Sequence, residues 1–141
     1  MTDLSKTYLK RVFTGLFAAA IIGVAVVGAC NTICAITAGF PLLSLWDDAS
    51  PMQILIASAP FILLALLGVR ARRPWIVALS LTFAFWAYYA YVITRPYEGG
   101  GANIGLGILM LFSPLPIAGA SLLSLLFLAH GGRAYDLADG S

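Results

Sequence analysis

The sequence predicts an all-α integral membrane protein: four transmembrane helices packed up-down-up-down as two hairpins, with both termini cytoplasmic. Three observations predict it. Of the 141 residues, 61% are hydrophobic and 10% are charged, whereas a soluble domain carries about 25% charged residues. The apolar residues form four runs, at about 12–40, 52–69, 75–94 and 102–130, in a single domain over residues 1–141. Crossing a hydrocarbon core takes roughly 20 residues, and each run comes near or beyond that length. The basic residues gather in the breaks between runs. With the turn Val69–Pro74 inside, Lys6, Lys10, Arg11, Arg70, Arg72, Arg73 and Arg133 share one side and Arg95 alone falls on the other. Such a bias over short loops orients a chain with its positive side inward. The expected location is the cell membrane, here a bacterial inner membrane.

Residues 1–11 are polar and read as a cytoplasmic lead-in. The first run carries no charge and is several residues longer than an upright crossing requires. Its first part has Gly15, Ala19 and Gly23 at intervals of four, a small-residue stripe that permits close approach by another helix. Its last part is more polar, with Cys30, Asn31, Thr32, Cys34 and Thr37. The segment Val27-Gly28-Ala29-Cys30 after a basic lead also fits a lipoprotein signal. The apolar run continues past Cys30 to Phe40, however, so the first span is expected to be retained.

An outer loop follows, with Trp46 beside Asp47 and Asp48. Pro51 suits the first turn of the second helix, and Pro60 lies near that helix's middle. The basic turn comes next, and Pro74 opens the third span. The outer half of that span is dense in aromatic residues. A second outer loop contains Gly99, Gly100 and Gly101, and the fourth span is interrupted at Ser113-Pro114-Leu115-Pro116. The tail from Gly131 is polar.

Three groups of residues are candidates for a site. Cys30 and Cys34 share a helix face with Thr37, and Asn31 is adjacent. Two thiolates at that spacing suit one soft metal ion, and a small thiol equally suits helix packing. Asn31 must find hydrogen-bond partners, either a solute or a neighbouring helix. The second group is the mid-helix breaks: Pro60 with Ser58, and Pro114 and Pro116 with Ser113. Each proline frees a carbonyl one turn earlier, at Ile56, Met110 and Phe112, and Ser58 and Ser113 stand close enough to help satisfy them. Interrupted segments in matching halves point to a transport site at mid-depth, or to simple kinks. The third group is Phe85, Trp86, Tyr88 and Tyr89, read as an interface belt or as the lining of an apolar pocket.

Several classes of function are disfavoured. No run contains Asp, Glu, Lys or Arg, the usual marks of ion coupling inside a bilayer. The spaced glycines of Glu98–Gly107 lack the strand and the Gly-Lys-Ser/Thr ending of a phosphate loop. The single His130 completes neither a haem ligand pair nor a Ser/His/Asp set. A net charge of +2 gives no reason to expect nucleic acid. The expectation is a non-enzymatic protein with no cofactor. Its partners are the lipid bilayer and other membrane subunits, or a second copy of itself. It serves as an accessory or scaffold subunit; the alternative is a small oligomeric transporter or channel.

Overall fold

The computed structural model describes residues 3–38, 50–95 and 103–138, with side chains over 5–37, 50–95 and 103–127. All described elements are helices: α1 (Asp3–Ala38), α2 (Ser50–Leu66), α3 (Arg72–Ile93), α4 (Ile104–Phe112) and α5 (Pro114–Ala138). Three stretches, Ser5–Thr37, Arg72–Ile93 and Ile104–Phe127, are long and apolar enough to cross a membrane, and Ser50–Leu66 is a shorter apolar helix. Trp46 and most of both expected outer loops lie outside the described residues.

Helix α1 has 36 residues, about 54 Å at 1.5 Å per residue. The polar lead-in is therefore not a separate surface element; from Asp3 onward it continues directly into α1. Helix α2 ends earlier than its apolar run suggests, because Gly68 adopts φ +65°. The Gly68 amide donates to the Ala65 carbonyl and the Val69 amide to the Leu64 carbonyl, each at 3.0 Å. This pair of bonds is a Schellman closure, which favours glycine at its left-handed residue. Val69 also packs against the apolar cluster that contains Leu64, in keeping with that motif. Two aromatic side chains fasten the same turn. The Tyr8 hydroxyl donates to the Leu66 carbonyl at 2.7 Å, and the Trp75 indole donates to the Val69 carbonyl at 3.1 Å.

The expected interruption of the fourth run is present. Ser113 ends α4, its amide and its hydroxyl both donating to the Met110 carbonyl. Pro114 then opens α5 at the position where a missing N–H does no harm. The helix continues beyond the expected span to Ala138. Gly131 and Gly132 disfavour helix by about 1 kcal/mol each, but the good helix formers Arg133, Ala134, Leu137 and Ala138 follow them.

The small-residue stripe packs against α2, and the two helices run antiparallel. Tyr8 meets Leu66, Gly15 meets Ala65, Gly23 meets Ser58 and Ile54, and Asn31 meets Ser50. A Cβ built on Gly15 would stand 2.7 Å from the Ala65 Cβ. One on Gly23 would stand 2.9 Å from the Ile54 carbonyl oxygen and collide with the Ser58 hydroxyl. Only glycine allows the backbones this close. Two apolar layers fill the bundle. The layer nearer the basic turn holds Ala19, Phe61, Leu64, Ala78 and Ile117. The other holds Val27, Cys30, Ile56, Ala57, Trp86, Tyr89, Ala90 and Leu106, and Phe85 packs against both.

Candidate functional site

The expected cysteine group divides between two directions. Cys30 is buried in the second layer, and Cys34 packs beside it on the same stripe of α1. Asn31 is turned about 100° away by the helical repeat and points to α2, its amide donating to the Ser50 hydroxyl at 3.4 Å. It ties α1 to the start of the next helix. Thr37 is exposed, and its hydroxyl returns to the Ile33 carbonyl at 2.7 Å. No cluster of three or more metal-ligating side chains forms among the described residues.

The aromatic group also divides. Trp86 and Tyr89 are buried with ring centroids 5.4 Å apart, and Phe85 meets Trp86 edge-on at 6.0 Å. Tyr88 is on the outside of α3. One opening lies between α1 and α3, with a volume of about 220 Å³. Ala25, Ala29 and Cys30 form one wall, and Trp86, Ala87 and Ala90 form the other. Ile33 and Phe83 stand at its sides, both exposed. The cysteine and aromatic candidates thus meet in one apolar groove. Its alanines were not singled out in the sequence. Their signal was a second small-residue pair on α1, Ala25 and Ala29 at a spacing of four, on a different face from Gly15, Ala19 and Gly23.

Of the mid-helix serines, Ser113 serves the Met110 carbonyl as expected, at 2.8 Å. Ser58 does not serve Ile56. It faces Gly23 across the α1–α2 contact, and its hydroxyl finds no hydrogen-bond partner among the described residues. The hydroxyl of Thr82, buried on α3, is in the same position. Pro60 is buried within a continuous α2, whereas Pro114 and Pro116 sit at the start of a new helix, the latter exposed. The two breaks therefore differ in kind: one is a proline inside a helix and the other is a junction of helices. No family model, curated protein or solved structure matches the chain.

Proposed function

We propose that the chain is an integral membrane protein with four spans and both termini cytoplasmic, in a bacterial inner membrane. In this reading it acts without chemistry of its own, as an accessory or scaffold subunit that holds another transmembrane helix. The observation that carries the reading is the groove between α1 and α3. Small residues, Ala25, Ala29, Cys30, Ala87 and Ala90, make up much of its walls beside Trp86, and the exposed apolar side chains of Ile33 and Phe83 border it. In hydrocarbon, helices associate by close packing across small residues. The glycine stripe is occupied within the chain by α2, which leaves the alanine groove as the surface for a partner. Filling the groove by Ala29→Phe is expected to release the protein from its complex in mild detergent while its melting temperature stays unchanged. A wild-type chain that runs as a monomer, and gives no cross-links from position 33 in native membranes, would remove this reading.

The orientation rests on the seven-to-one division of basic residues. In a background with Cys30→Ala and Cys34→Ala, a membrane-impermeant maleimide added outside is expected to modify a cysteine at Gly100 and to miss one at Ala71. Outside labelling at Ala71 would reverse the arrangement. A second reading, a small oligomeric transporter, is favoured by one observation: the buried Ser58 and Thr82 hydroxyls lack described partners. That reading requires a symmetric homo-oligomer and solute flux in liposomes.

A further inference from the structure

At the end of the bundle that carries the basic turn, a second cleft opens between α1 and the α2–α3 connection. One part, about 280 Å³, has Arg11 of α1 and Arg70 of the turn on its wall, over Gly15, Ala65 and Trp75. An adjoining part of about 500 Å³ shares Arg11, Gly15 and Trp75, and adds Lys10 and Ala18. The neighbours Lys10 and Arg11 of α1 and the distant Arg70 of the turn are thereby gathered above a largely apolar floor. That floor is held in place from two sides. The Trp75 indole is bonded to the Val69 carbonyl, and its ring packs against Phe61 with centroids 6.1 Å apart.

The start of α3 adds to the positive field. Arg72 and Arg73 occupy its first turn, and Ala71 before them offers no side-chain cap. A helix N-terminus already carries partial positive charge, so acidic residues are the favoured occupants there. Here five cations surround a helix start and a cleft, and no described carboxylate lines either part. Beneath the cations the wall is Gly15, Ala18 and the Trp75 ring, with Thr7 and Thr14 beside them; the Thr14 hydroxyl is bonded back to the Lys10 carbonyl and the indole N–H to the Val69 carbonyl.

From this we infer that the cleft binds the phosphate headgroup of an anionic phospholipid, with the acyl chain lying along α1 below it. The inference rests on the membrane-spanning reading above. A cationic rim over an apolar wall matches an amphiphile. It does not match a small free anion, which gains nothing from the apolar part. Basic pockets between transmembrane helices on the cytoplasmic side are suited to such headgroups.

The test uses the full chain in detergent micelles, with lipid retention read by native mass spectrometry. Phosphatidylglycerol is expected to be retained in preference to phosphatidylcholine, and less so as salt rises. Each cation near an anionic surface contributes about a five-fold factor in affinity. Arg11→Gln with Arg70→Gln is therefore expected to lower retention of phosphatidylglycerol at least ten-fold, with the melting curve unchanged. Arg95→Gln, at the opposite end against Tyr91, is expected to leave it intact. Equal retention of both lipids by the wild-type protein would overturn the inference, with or without a folded double variant. So would glycerol 3-phosphate competing as well as the lipid, since the ligand would then be a free phosphate. Alkaline extraction of native membranes separates the two readings. A chain released by carbonate fails the membrane reading itself; a chain that stays in the membrane but shows no headgroup preference fails only this inference.

Discussion

Gly23→Leu is expected to abolish the folded bundle. Even the first atom of a side chain at Gly23 would lie 2.9 Å from the Ile54 carbonyl oxygen and strike the Ser58 hydroxyl. A backbone carbonyl cannot rotate away as a side chain can, so α1 and α2 would have to part. Over-packing a core commonly costs 1–3 kcal/mol. With backbone as the obstacle, we expect about 3 kcal/mol or more. Separation would also loosen the contacts on the same stripe, Gly15 with Ala65 and Ala19 with Phe61 and Leu64. Gly23→Ala is expected to fall between wild type and leucine, since Ser58 can turn but Ile54 cannot. Val24→Leu, one position along and exposed, is the control and should shift stability by less than about 0.5 kcal/mol. Unfolding in mixed micelles measures all three. A Gly23→Leu protein as stable as wild type would mean that α1 and α2 do not pack as described.

The stripe itself was legible because four residues return a helix to nearly the same face, so Gly15, Ala19 and Gly23 declare a contact by spacing alone. Its partner was not legible. Local pattern says that a backbone can be approached, and tertiary packing decides which helix approaches it. The end of α2 is a case where more could have been read. Gly68 stands directly after an apolar run and before an apolar residue, which is the pattern of a Schellman closure. Taking the run through Val69 overlooked it.

The cysteine group shows a different limit. Spacing of four correctly put Cys30 and Cys34 on one stripe. Asn31, adjacent to them in sequence, is turned about 100° away along the helix and meets the neighbouring helix, one of the two partners expected for its amide. Ser58 repeats the lesson. It is near the Ile56 carbonyl along the chain, yet its hydroxyl faces Gly23 instead. The basic cleft was illegible for the opposite reason. Lys10, Arg11 and Arg70 each had a sufficient explanation as topology signals. That two of them line one cavity with Trp75 follows only from the antiparallel pairing of α1 with α2.

Phe61→Ala is expected to cost about 2 kcal/mol, and the size of that loss is informative. Phe61 is fully buried in the layer nearer the basic turn, among Ala19, Leu64, Ala78 and Ile117. In a water-soluble core such a truncation costs about 3–5 kcal/mol, the sum of a lost transfer from water and an unfilled cavity. For helices that separate within a bilayer, the transfer part largely vanishes, because the freed side chain is still in hydrocarbon. The cavity part remains, at about 24 cal/mol per Å³ left empty. Phe17→Ala is the companion variant. Phe17 is 69% exposed, acyl chains can fill the space it leaves, and its loss should be under about 0.5 kcal/mol. Reversible unfolding in bicelles measures both. A Phe61→Ala loss of 4 kcal/mol or more would imply a water-exposed unfolded state, against a membrane-spanning bundle. A negligible loss would mean that the ring is outside the core. At the intermediate value a further consequence follows. Phe61 also braces the Trp75 ring, so its removal should loosen the basic turn and lower phosphatidylglycerol retention, although every cation of the cleft is still present.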